Sequence, residues 1–93
     1  MIGVVATLKI KVGSGADFES VSYQFVDKLN ANEDGVVYYD LYKEDDTTYV
    51  FLERYKDQEA QDAHGKTDYF RELGAKMGAF MAGAPEIKML QSV

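Results

Sequence analysis

Three side chains have the types and surroundings that proton chemistry needs: Glu53, His64 and Asn32. Glu53 lies in Thr48-Tyr49-Val50-Phe51-Leu52-Glu53-Arg54-Tyr55, where strand alternation puts it on one face with Tyr49, Phe51 and Tyr55. A carboxylate on an aromatic face must be paired or desolvated, and either shifts its pKa, so it could act as a base or anchor a ligand hydroxyl. A structural pair with a Lys, an Arg or a backbone group would account for it equally well. His64 is the only histidine, and histidine alone titrates near neutrality without perturbation. Before the Gly65-Lys66-Thr67 corner it could be a pocket acid–base group, or a surface or C-capping residue. Asn30 and Asn32 stand where the first helix should end; either could cap that helix or point an amide into a cavity.

A second group could give such a site its walls. Tyr38, Tyr39, Tyr42, Tyr49 and Tyr55 could line an aromatic cavity, although sheet propensity and packing explain tyrosines in strands as well. Asp40 is a weaker case of a carboxylate among tyrosines. Gly74 and Gly78, with Ala75, Ala79 and Ala82, give one helix a small-residue side. That side allows close helix–sheet packing, or leaves room for a flat ligand.

Composition removes other chemistries. The chain has no Cys and a single His, so disulfides, thiolate metal sites, iron–sulfur clusters, a cysteine nucleophile and a His-pair zinc site are excluded. A formal charge of −6, from 10 basic and 16 acidic residues, is a poor match for nucleic acid. Apolar runs are far shorter than the ~20 residues that span a bilayer, and Met1 to Thr7 has no signal-peptide pattern, so a cytoplasmic domain is expected. Ninety-three residues with 46 % hydrophobic content should fold as one domain over 1–93. A core of that size is marginal alone, which already suggests a partner surface.

The elements that must position these residues follow from periodicity. Residues 2–12 alternate, with Ile2, Val4, Ala6, Leu8, Ile10 and Val12 on one face. Gly13-Ser14-Gly15 ends that strand, and Ser14 with Asp17 fits a capping box for a helix starting near Ala16. Phe18, Val21, Phe25, Val26 and Leu29 form its stripe, and Asn30 to Gly35 ends it, with Gly35 free to take a positive φ. Val36–Lys43 and Thr48–Tyr55 read as a hairpin. Asp57 caps a short helix to about His64, and Thr67 caps a longer one to about Ala82, stopped by Gly83-Ala84-Pro85. Glu86 to Val93 alternates again. The order predicts an α+β, ferredoxin-like split βαβ plan: an antiparallel sheet with the helices on one face. Both faces of strands two and three are apolar or aromatic, so the second face is expected to pack on another copy as a homodimer.

Several of these segments, in this order, resemble the antibiotic biosynthesis monooxygenase family. They are Val4 to Gly13, Asn30-Ala31-Asn32-Glu33-Asp34-Gly35, Tyr38-Tyr39-Asp40-Leu41-Tyr42, Thr48 to Tyr55, Ala63-His64 and Tyr69-Phe70. The likeness covers almost the whole chain. It implies a dimeric α+β barrel joined sheet to sheet. For some members it implies oxidation of quinols or anthrones by O2 without metal, flavin or haem. On that resemblance Asn32, Glu53 and His64 match polar pocket positions, and Tyr55 a position usually Trp or Tyr. Tyr38, Tyr49, Phe51 and Tyr55 would shape the pocket, His64 and Glu53 would handle protons, and Asn32 would orient an oxygen. Phe51 stands where anthrone-oxidising members carry Asn, which sets this chain apart from them. The Trp and N-terminal strand Asn of haem-degrading relatives are missing. The expected partners are a small phenolic substrate, O2 and a second copy, with no cofactor, nucleic acid or membrane. A small-molecule isomerase and a non-catalytic ligand-binding dimer are the alternatives.

Overall fold

Every second residue of β1 (Ile2–Lys9) is buried, as the alternation requires, and Ile10 continues that face beyond the strand. Gly13, at φ 84°, makes the one left-handed turn of the backbone and leads into α1 (Gly15–Asn32). That helix buries Phe18, Ser22, Phe25 and Leu29, a stripe at helical spacing. Fully burying Phe18, Phe25 and Leu29 contributes about 1.5–3 kcal/mol each. β2 (Val36–Asp45) and β3 (Thr48–Tyr55) form a hairpin, whose turn is held by the Thr47 amide donating to Asp45 Oδ1 at 3.0 Å. Asp57 caps α2 (Gln58–His64) by accepting from the Ala60 amide at 2.8 Å. Thr67 likewise caps α3 (Asp68–Gly78), accepting from the Phe70 amide at 3.2 Å. β4 (Glu86–Gln91) then pairs with β1.

The computed structural model spans residues 1–93. Its sheet runs β2-β3-β1-β4 with every neighbouring pair antiparallel. The architecture is α+β, ferredoxin-like, in the order βαββααβ. The inward face joins Val4, Ala6 and Leu8 of β1 to Tyr39 of β2 and to Tyr49, Phe51, Glu53 and Tyr55 of β3. The outward face carries Val5, Thr7, Val50 and Leu52, half-buried, with Tyr38 and Tyr42 exposed beside them. The aromatic side of β3 is therefore the helix side, and the other face is aliphatic at its centre.

Four local expectations change. Ser14 makes no side-chain cap, and α1 starts at Gly15 without one. α3 stops at Gly78 rather than near Ala82, because the next residues turn to meet the end of β1. There the Lys11 amide donates to Phe80 O at 2.8 Å and the Ala82 amide to Lys9 O at 2.9 Å. Val12 falls outside the strand and is exposed. Gly35 does not take a positive φ; it is needed for close approach, since a Cβ there would lie 2.5 Å from Ala60 Cβ. That contact presses the turn after α1 onto α2.

Candidate active site

Register brings the first pair of polar groups together on the sheet. Tyr39 stands opposite Glu53 across β2 and β3, and Tyr55, two residues along the same face, donates its hydroxyl to Glu53 Oε1 at 2.5 Å. Glu53 is only 7 % exposed. Burial raises its carboxyl to about 7, against the opposing pull of hydrogen bonds from Tyr55 and Tyr39. Burial and the Glu53 charge drive the Tyr39 and Tyr55 phenols the same way, far above their ordinary value. Both phenols therefore stay protonated, and the carboxyl between them changes charge near neutrality.

The helices supply the second pair. His64 is the last residue of α2 and is 3 % exposed. Its Nδ1 lies 3.0 and 3.1 Å from the two carboxylate oxygens of Glu33, the residue that ends α1. The Tyr69 hydroxyl, from the first turn of α3, donates to that same carboxylate. In the neutral imidazole, Nδ1–H donating to Glu33 leaves a lone pair on Nε2. Nε2 is buried and has no hydrogen-bond partner. Rings of Phe25, Tyr39, Tyr55 and Phe70 surround the imidazole at centroid distances of 5.2–5.6 Å. A buried polar nitrogen left unsatisfied among aromatic rings is costly in a protein built only for stability.

Both groups open on one cavity of about 660 Å³ between the sheet and α3. Its walls are mostly apolar: Val4, Ala6 and Phe51 from the sheet, and Phe25, Phe70 and Met77 from the helices. Gly74 and Ala75 also face it, as do Arg71, Pro85 and Ile87, all of them half-buried or exposed. A largely apolar cavity of this size with a few convergent polar groups is the usual form of a small-molecule site. No three His, Asp or Glu side chains come together as metal ligands. The arrangement can take a proton at Nε2, hold or release one at Glu53, and stack a flat ring between aromatic walls.

The sequence model of the antibiotic biosynthesis monooxygenase family matches residues 1–76. The chain belongs to that family. The solved structure of a putative antibiotic biosynthesis monooxygenase from Caulobacter crescentus CB15 is 46 % identical with a TM-score of 0.93, over 99 % of this chain and 89 % of that one. The putative monooxygenase YcnE of Bacillus subtilis is 33 % identical over 87 residues, 91 % of this chain and 90 % of its own. SnoaB, a cofactor-independent oxygenase from Streptomyces nogalater, superposes with a TM-score of 0.84 over 98 % of this chain and 91 % of that one; at 22 % identity the likeness is one of fold. The chain spans 60 % of the length of a Synechocystis relative, the uncharacterized protein sll1783, at 29 % identity over 95 % of this chain.

Of the seven residues that the family resemblance placed at the site, Glu53, His64, Phe51 and Tyr55 converge on the cavity, and Asn32, Tyr38 and Tyr49 do not. Asn32 is exposed and donates its amide to Lys28 O at 2.7 Å, because α1 runs on through it and makes it part of the last turn. Tyr38 lies on the outward face, opposite Arg54; adjacent strand residues point to opposite sides, and Tyr39 takes the inward one. Tyr49 faces inward but under α1. Its ring sits 4.9 Å from Phe18 and its hydroxyl donates to Glu19 at 2.5 Å, which with burial raises the phenol to about 12. Asp40 is exposed, and of the small residues of α3 and the segment after it only Gly74 and Ala75 face the cavity. Sequence reasoning missed Glu33 and Tyr69, and it left Tyr39 among several tyrosines. A glutamate at a helix end would have been a candidate partner for the lone histidine, but nothing local ties residues 31 positions apart.

Proposed function

We propose that this chain is a cofactor-independent monooxygenase that oxidises a small phenolic or quinol-like aromatic with O2. The observation that carries this reading is His64, oriented by Glu33 through Nδ1 and left with an orphaned Nε2, beside an apolar cavity that it lines together with Glu53. A phenol placed there gives its proton to Nε2, and the imidazolium formed is stabilised by the Glu33 carboxylate. The phenolate donates its electrons to O2, and a C–O bond forms at an ortho or para carbon that bears hydrogen as the ring becomes a dienone. Protonated Glu53 gives the new peroxide its proton. Ionised Glu53 then removes the ring C–H proton, the O–O bond breaks, and hydroxide leaves as water with the proton held by His64. The products are a quinone and water, and both residues return to their starting forms. A carboxyl that titrates near 7 is suited to serve in both directions.

The same proton pair supports enolisation without oxygen, so the test includes both conditions. Purified protein is incubated with a panel of mono- and dihydroxy aromatics while oxygen uptake is recorded, with anaerobic controls. His64→Ala and Glu53→Gln should each lower the rate by roughly 100-fold or more. No uptake above the spontaneous rate across the panel, or rates unchanged in both variants, refutes the reading. The outward sheet face supports a second part of the proposal, a two-fold dimer. Half-buried Val5, Val50 and Leu52 with exposed Tyr38 and Tyr42 form a patch suited to self-association.

A further inference from the structure

Arg71 is the one Lys or Arg among the 19 residues that line the cavity. It stands on α3 one turn before Gly74 and Ala75, which face the same space and take up almost none of it. Its recorded partner is Asp68, one turn back on the same helix, at 3.1 Å from a single terminal nitrogen. Both side chains of that pair are strongly exposed, at 75 % and 85 %, so the pair is weak and the guanidinium keeps most of its five donors free. The polar residues deep in the cavity, Tyr39, Glu53, Tyr55 and His64, offer no fixed positive charge. The chain as a whole carries −6, which disfavours an anion everywhere that a local cation does not compensate.

We infer that the aromatic taken by this cavity carries a carboxylate or comparable oxyanion on its far edge, held by Arg71 while the phenol reaches His64 and Glu53. The inference rests on the phenol reading given above and adds the charge and polarity of the substrate. A planar guanidinium matches a carboxylate with two parallel hydrogen bonds, which fixes the direction of the ring as well as binding it. Gly74 serves the same end, since a Cβ built there meets nothing within 4 Å and the space beside Arg71 stays open.

The test is anaerobic binding of two probes, 1,4-dihydroxynaphthalene and its 6-carboxylate, each followed by calorimetry. Wild-type protein should bind the carboxylate more tightly by roughly fivefold, the upper end for an exposed ion pair, and less so as salt is raised. In Arg71→Gln the ratio of the two affinities should fall to about one, and Arg71→Lys should keep part of it. Lys76→Gln, a charge change on α3 outside the cavity lining, should leave the ratio alone. A carboxylate preference that survives Arg71→Gln, or no preference in wild type while both probes bind, overturns the role of Arg71 and leaves the phenol site standing. Neither probe binding, together with no oxygen uptake from either, overturns the phenol reading and this inference with it.

Discussion

Replacing Glu53 by Gln should remove activity and yet make the protein more stable at alkaline pH. Burial carries this carboxyl from its ordinary 4.5 to about 7 although two tyrosine hydroxyls pull the other way. That displacement corresponds to about 3 kcal/mol between folded and unfolded chains. Below the lower value both states hold the proton, and the stability contribution is fully present. Between the two values the unfolded chain has lost the proton while the native chain keeps it, so stability falls as pH rises. Above the upper value both are ionised, and the cost of a buried charge is complete. Glutamine keeps an oxygen that accepts from Tyr55 and cannot ionise. Urea titrations of both proteins, followed by circular dichroism from about pH 4 to about pH 8, give the difference at each pH and cancel all other titrating groups. The curves should nearly coincide at the acid end and separate by about 2–3 kcal/mol in favour of Glu53→Gln at the alkaline end. A difference that does not change with pH, or a wild type that is the more stable at about pH 8, refutes the argument that desolvation governs this residue.

Other changes probe different contacts. Gly35→Ala should destabilise by about 1–3 kcal/mol, because its Cβ meets Ala60, and adding Ala60→Gly should recover part of that loss in a double-mutant cycle read by urea unfolding. Glu33→Gln should lower oxygen uptake by about 10-fold or more, since the imidazole loses the carboxylate that orients it; a rate within about twofold of wild type argues against the pair. Asn32→Ala should change activity by less than about twofold, because its amide serves only the end of α1; a large loss would return Asn32 to the site. Wild type should sediment at twice the 10.4 kDa chain mass, and Leu52→Glu on the outward face should yield monomer or aggregate; a monomeric wild type excludes the dimer.

The strands and caps were legible in the sequence because each rests on local chemistry. Alternation alone identifies β1, β3 and the face that Glu53 shares with Phe51 and Tyr55, and Asp57 and Thr67 announce the starts of α2 and α3; which face of β3 meets the helices was not legible. Phe51, Tyr55 and His64 reach the cavity for the same reason: each follows from the phase of its own element. The pairing of His64 with Glu33 was not legible, since it depends on where α1 stops. One residue at a helix end turns a side chain by about 100°, which is enough to send Asn32 to solvent and leave Glu33 against the imidazole. The end of α3 was misplaced because backbone bonds to β1, far away in sequence, outweigh the helix-forming Ala79–Ala82 stretch.

The open space at Gly74 has a bearing on how this molecule could diversify. The groups that move protons come from β3, α2 and the end of α1, whereas α3 contributes mainly room and a single charge at that point. A Cβ at position 74, beside the cavity, meets open space and displaces no neighbour. Substrate range can therefore drift by substitutions on one helix face while the chemistry and the fold's stability are inherited intact.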